Sequence, residues 1–240
     1  MKNLFEIECK AGGCIEELEA KMTGTPDFVP EDRYCQGVGK YCLEEDFCLQ
    51  QVAKVDFPTR FGRFTLHGFF DSRQGKEHTA IVRGEVAGKE RVPVRTHSEC
   101  HTGDVWGSLR CDCRDQLEFA IRYVAAEPFG TVIYLRQEGR GIGLLNKLKA
   151  YQLQDLGLDT IEANQYLGLP VDARDYRVAA KIMAILGIRS VRLITNNPDK
   201  ISQLQAAGMP VVDRIPVVIP ANPHDKDYID VKREKMGHLI

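Results

Sequence analysis

Apolar and polar residues alternate in the middle of the chain and recur at helical spacing further on. Residues 61–70 (FGRFTLHGFF), 79–86 (TAIVRGEV) and 91–97 (RVPVRTH) are rich in β-branched and aromatic residues and bounded by glycine and charged clusters, which predicts three strands. From residue 114 the period lengthens. Leu117, Ala120, Ile121 and Val124 share one face of a helix expected over 114–126. Residues 131–135 (TVIYL) and 190–195 (SVRLIT) are short apolar runs of the kind that form buried strands. Further helices are expected over 142–156, 175–186 and 199–207. Each is followed by a glycine (Gly157, Gly187 or Gly208) that can take the left-handed conformation closing a helix. Strands first, then strands alternating with helices, predict an α/β fold: a mixed sheet flanked by helices, with some strands paired in parallel.

The pattern fades towards the N-terminus. Residues 1–50 are acidic and hold five of the eight cysteines (Cys9, Cys14, Cys35, Cys42 and Cys48) in spacings that match no zinc motif. They read as a short N-terminal extension with free thiols, or with a second metal site or redox pair, ahead of a catalytic domain over 51–240. The length of 240 residues, 43% of them hydrophobic, is enough to bury a core. A net charge of -2 makes no basic field for nucleic acid. No apolar run approaches the roughly 18 residues that span a bilayer. The charged N-terminus carries no secretory signal, so the expectation is a cytoplasmic protein with no membrane partner. In that compartment thiols stay reduced, and metal binding is a better reading of clustered cysteines than disulfides.

Residues 95–116 (RTHSECHTGDVWGSLRCDCRDQ) place Cys100, Cys111 and Cys113 together. A structural zinc site closes with four protein ligands, whereas a catalytic one leaves a position for water. Three cysteines suit the catalytic kind. A fourth ligand from His97 or His101 would make the site structural, and thiols without metal are the remaining reading. After the strand at 131–135 comes RQEGRGIGLLNK, in which Arg136 and Arg140 flank a glycine turn leading into a helix. Free N–H groups, the helix dipole and guanidinium groups there favour an anion. The segment TNNPDK (195–200) offers Thr195 and Lys200 in the same way. Asp172 and Arg174 read as the beginning of the helix over 175–186, where an acid favours the dipole.

Taken together, RTHSEC (95–100), TGDVWGSLRCDC (102–113), RQEGRGIGLLNKLKAYQLQDLG (136–157), DTIEAN (159–164), Asp172 with Arg174, TNNPDK (195–200) and EKMGHL (234–239) resemble the GTP cyclohydrolase II family over about residues 55–240. The resemblance implies a riboflavin-pathway enzyme that hydrolyses GTP, releasing formate and diphosphate. It implies one zinc ion on Cys100, Cys111 and Cys113 with water as fourth ligand, and Mg²⁺ with the triphosphate. It implies a GTP-binding set of Arg95, Thr96, His97, Ser98, Glu99, Gln116, Glu138, Gly139, Arg140, Thr160, Thr195 and Lys200. Asp172 then resembles the general acid/base, Arg174 the nucleophile towards the α-phosphorus, and Tyr151 a tyrosine needed for complete turnover. A guanidinium is a poor nucleophile, so stabilisation of charge is the alternative role for Arg174. The resemblance also implies a homodimer. Two other readings stay open: a paralogue that stops at the formamide, and a non-catalytic, zinc-stabilised nucleotide-binding protein.

Overall fold

Strands that alternate buried and exposed residues form a meander, and strands that are apolar throughout lie inside the sheet. In the computed structural model, which describes residues 42–44, 47–220, 222–225 and five positions nearer the C-terminus, β1 (Cys42–Glu44), β2 (Phe47–Thr59), β3 (Gly62–Asp71) and β4 (Lys76–Arg83) pair antiparallel in chain order. β3 buries Phe64, His67, Phe69 and Asp71 while the residues between them stay partly exposed. β5 (Val92–Ser98) and β6 (Gly130–Leu135) are buried almost from end to end. That is the pattern of strands covered on both faces.

The sheet order is β1-β2-β3-β4-β6-β5-β7-β8, with β7 at Val191–Ile194 and β8 at Val211–Ile215. β6 pairs antiparallel with β4, but β6, β5, β7 and β8 are parallel to one another. Among the described residues these helices accompany them: α1 (His101–Asp104), α2 (Cys113–Ala126), α3 (Leu144–Gln154), α4 (Thr160–Tyr166), α5 (Arg177–Ile185) and α6 (Pro198–Ala206). One core packs Val178, Ala179, Ile182 and Met183 of α5 and Leu204 of α6 onto Val92, Ile133 and Leu193. The other packs Ala120 and Val124 of α2 onto Val132 and Ile194, which point to the opposite face of the sheet. The expected mixed sheet flanked by helices is therefore present.

Several expectations shift. β4 begins and ends three residues before the expected 79–86. Asp172 to Asp175 do not begin a helix: α5 starts at Arg177, after an irregular segment stabilised by side-chain contacts. The expected domain boundary at 50–51 falls inside β2. Residues 1–41, with Cys9, Cys14 and Cys35, lie outside the described residues. β1, β2, β8, α1 and α4 are additional elements. α4 carries a capping box in which Asp159 accepts from the Ile161 and Glu162 N–H groups while Glu162 reaches back. Among the described residues no helix is long and apolar enough to cross a membrane.

Ile133 is fully buried in β6, between β4 and β5. Ile133→Ala is expected to lower unfolding stability by about 2–5 kcal/mol in denaturant titration, through lost transfer energy and the cavity left behind. A loss under about 1 kcal/mol would mean that the sheet centre collapses around the gap.

Candidate active site

Parallel pairing brings the C-terminal ends of β5, β6 and β7 side by side, and the chain leaves each of them into the same region. Residues from 95–113, 138–142 and 195–200 line one cavity of about 310 Å³, with Lys147, Tyr151, Thr160 and Arg174 on its remaining walls. Each strand end is held in place by a backbone bond across the sheet: Glu99 N–H donates to Leu135 O at 2.8 Å and Thr195 N–H to Ile215 O at 3.0 Å.

The three cysteines converge. Their sulfurs lie within 4.8 Å of one another, and no fourth His, Cys, Asp or Glu among the described residues joins the group. Zinc binds thiolate sulfur at about 2.3 Å, which sets tetrahedral ligand sulfurs about 3.8 Å apart. Cys100 Sγ and Cys111 Sγ are 3.7 Å apart. Gly103 forms the floor of this cradle. A Cβ there would meet Cys111 Sγ at 2.9 Å, Cys113 Cβ at 3.1 Å and Cys100 Sγ at 3.2 Å. The residues present therefore fit a zinc ion with an open coordination position.

Neither candidate histidine competes for that position. His97 Nε2 lies 3.1 Å from both carboxylate oxygens of Asp104, and the His101 ring meets Trp106 edge-on at 5.9 Å. Asp104 is the hub beneath the cluster. It accepts from Cys100 N–H at 3.0 Å and Tyr134 OH at 2.8 Å, and Tyr134 stacks on His97 at 5.5 Å. Burial holds His97 below the ordinary imidazole range, with Asp104 opposing the shift in part.

Lys147 ties the cluster to the glycine turn. Its ammonium donates to Cys100 Sγ at 3.1 Å, Thr102 Oγ1 at 2.9 Å and Glu138 Oε1 at 2.9 Å. Burial opposes its charge, but the Cys100 and Glu138 partners outweigh that and hold it above the ordinary lysine range. Hydrogen bonds from Cys111 and Cys113, with Lys147 adding its charge, hold Cys100 well below the usual thiol range. The hydrogen bond with Cys100, reinforced by burial, pushes Cys111 up to about 11. Glu138 in turn accepts from His101 N–H at 2.5 Å and Gly139 N–H at 2.7 Å.

The other wall is cationic. Arg95 and Lys200 are only 4% and 5% exposed, yet neither forms an ion pair among the described residues. Arg95 donates to Ile194 O at 3.0 Å and Gln116 Oε1 at 2.5 Å, and Lys200 to Thr96 O at 2.7 Å. Burial, reinforced by Arg95 and Arg174, drives Lys200 well below the ordinary lysine range. Two buried cations on neutral partners are costly unless an anion completes them.

Arg174 joins this wall. Its guanidinium makes a two-point ion pair with Asp172, whose carboxylate also accepts the Arg174 N–H at 3.0 Å. Burial alone would raise the Asp172 pKa, but Arg174 outweighs it and holds the carboxyl below the usual range. The segment is locked to the glycine turn by a bond from Ala173 N–H to Arg140 O at 2.9 Å. At Gly141 (φ 93°) a Cβ would meet Ala173 O at 2.9 Å. Arg140 itself has φ 59°, a left-handed backbone that is uncommon outside glycine and found at ligand sites.

Of the residues expected at the site, Arg95, His97, Ser98, Glu99, Cys100, Cys111, Cys113, Gln116, Glu138, Gly139, Arg140, Tyr151, Thr160, Arg174, Thr195 and Lys200 line the cavity. Thr96 is fully buried and contributes its carbonyl to Lys200, while Asp172 acts from behind Arg174. Asp104 and Lys147 are additions. Lys147 stands four residues before Tyr151 on α3, a helical spacing that was available in the sequence. The long-range partners of Asp104 left no such signal.

Gly103→Ala is expected to weaken zinc binding about 10–100-fold, as disturbed ligand support does, with far-UV circular dichroism unchanged. Stoichiometric zinc in that variant would show that the cradle tolerates a methyl group. Lys200 must be charged to hold an anion, and its pKa is lowered. Diphosphate affinity is therefore full at low pH and falls as pH rises, starting below the ordinary lysine value of about 10.4. Calorimetry on wild type and Lys200→Arg separates the protein's proton from the ligand's, because arginine stays charged. Identical pH profiles for the two would reject the assignment.

Residues 50–216 match the family described as GTP cyclohydrolase II. A GTP cyclohydrolase-2 of Picrophilus torridus is 53% identical over 80% of this chain and 100% of its own length. One from Neisseria meningitidis is also 53% identical, over 80% and 97%. The riboflavin biosynthesis protein RibBA of Synechocystis is 50% identical over 83% of this chain but only 36% of its own. With a match over most of its length and three of its eight cysteines gathered into one cluster, the chain belongs to the GTP cyclohydrolase II family.

Proposed function

We propose that this chain is a zinc-dependent GTP cyclohydrolase II. It converts GTP and water to 2,5-diamino-6-(5-phospho-D-ribosylamino)pyrimidin-4(3H)-one, formate and diphosphate, the first step of riboflavin biosynthesis. On this reading it works in the cytoplasm as a homodimer, with Mg²⁺ accompanying the triphosphate. The observation that carries the reading is a cavity lined both by a three-cysteine cluster and by Arg95 and Lys200, buried cations with no ion pair among the described residues. A nucleotide with one ring to open and one phosphoanhydride to break needs both.

Zinc on Cys100, Cys111 and Cys113 would supply the Lewis acidity for hydrolysis of the imidazole ring. Three thiolates donate much negative charge, and Lys147 against Cys100 offsets part of it. Asp104 holds the Cys100 backbone and the His97 ring in their orientations. On the phosphate side Arg95, Lys200 and Arg174 neutralise charge as diphosphate leaves, the work of cationic clamps in phosphoryl transfer. A covalent role for Arg174 requires Asp172 to remove a guanidinium proton. The ordinary pKa values make that transfer about 12 kcal/mol uphill, and the pairing deepens the gap. Arg174 is accordingly a stabiliser of charge at the α-phosphorus, and Asp172 the group that orients it.

Tyr151 lies beside the cluster, its hydroxyl 3.5 Å from Thr102 Oγ1 and its ring under the Arg110 guanidinium at 4.4 Å. Burial raises its pKa, so the hydroxyl keeps its proton and can donate to a formyl oxygen. This favours complete turnover over arrest at the formamide.

Mass spectrometry of products from zinc-loaded protein with GTP and Mg²⁺ tests the reading. Formate plus diphosphate is expected; a retained formyl group indicates the paralogue, and no turnover rejects the enzyme. Tyr151→Phe is expected to accumulate the formamide with diphosphate still released. Normal formate release from that variant would remove Tyr151 from the second hydrolysis.

A further inference from the structure

Tyr176 is the largest fully buried side chain of the described residues, and it occupies the N-cap of α5 without capping it. N-cap positions favour Ser, Thr, Asp and Asn, whose oxygens satisfy the first free N–H groups. Tyr176 makes no such bond. Two cations from separate elements approach that ring. Arg174 Cζ, from the irregular segment before α5, is 5.6 Å from the ring centroid, and Lys200 Nζ, from α6, is 5.1 Å from it. Both side chains line the cavity, while Tyr176 does not.

We propose that Tyr176 is a positioning residue of the phosphate site, its ring holding Arg174 and Lys200 in place so that both face the same anion. The two cations repel each other, as the lowering of Lys200 by Arg174 reflects. Asp172 engages Arg174, and Thr96 O gives Lys200 a neutral contact. The negative face of an aromatic ring attracts a cation without neutralising it. It therefore helps fix both groups without adding a further carboxylate beside Asp172, and leaves the charge of Lys200, bonded to the neutral Thr96 carbonyl, for the ligand. The proposal rests on reading Arg174 and Lys200 as phosphate ligands.

Replacing Tyr176 with phenylalanine and then with progressively fluorinated phenylalanines keeps the ring's shape while weakening its negative face. Inorganic diphosphate is the probe, measured by calorimetry on the zinc-loaded full chain, with melting temperature followed in parallel. Tyr176→Phe is expected to bind diphosphate within twofold of wild type. Affinity is expected to fall stepwise with fluorination, reaching at least fivefold, and KM for GTP to rise with it while melting temperature stays level. Equal affinity across the fluorinated series would overturn the proposal and leave the phosphate site standing. A Tyr176→Phe variant as weak as the most fluorinated one would also overturn it, because the hydroxyl would then be the important group. If wild type itself binds no diphosphate, the phosphate-site reading fails, and this proposal with it.

Discussion

The parallel pairing of β5 with both β6 and β7 is the constraint from which the site follows. In the order β4-β6-β5-β7-β8 the chain leaves β5 towards β6, then crosses back over β5 to reach β7. At such a reversal the connections diverge and open a crevice beyond the strand ends. Cys100 stands two residues past β5, Glu138 three past β6, and Lys200 six past β7. None of these groups is near another in sequence.

Two networks then fix what the crevice contains. Around Asp104, a backbone N–H, an imidazole and a phenol all point at one buried carboxylate. Around Lys147, a thiol sulfur, a hydroxyl and a carboxylate point at one ammonium. The first supports the metal cluster from below. The second joins it to the Glu138–Gly141 turn, which is itself locked onto Ala173 ahead of Arg174. A continuous chain of contacts thus runs from the thiolate cluster to the segment that carries Arg174.

Much of this was legible in the sequence, for physical reasons that differ between elements. α2 and α5 declare themselves by apolar residues three and four apart, and the stops at Gly187 and Gly208 hold because both take positive φ. β6 shows as an apolar run because it is buried on both faces. β2 was missed because residues 53–58 are exposed, so little alternation marks it. α4 was missed because its stability comes from its Asp159 cap rather than from an apolar stripe. The segment Asp172 to Asp175 misled because an acid before an apolar run resembles a helix start. Here both acids pair with arginines two residues on. The cysteines and most of the cationic residues were legible as types. Which of them lacked a counter-charge was not, because that depends on side chains about a hundred residues apart.

The lack of an ion pair for Arg95 and Lys200 among the described residues has a thermodynamic consequence. Among the described residues Arg95 and Lys200 are buried with hydrogen bonds only to carbonyl and amide oxygens, an arrangement that costs stability. On the proposed function a polyanion in the cavity would relieve this, and ligand affinity and fold stability would then be linked through the same two side chains. Selection for thermostability alone would drift towards neutral residues at these positions and would erase the cavity's chemistry in doing so.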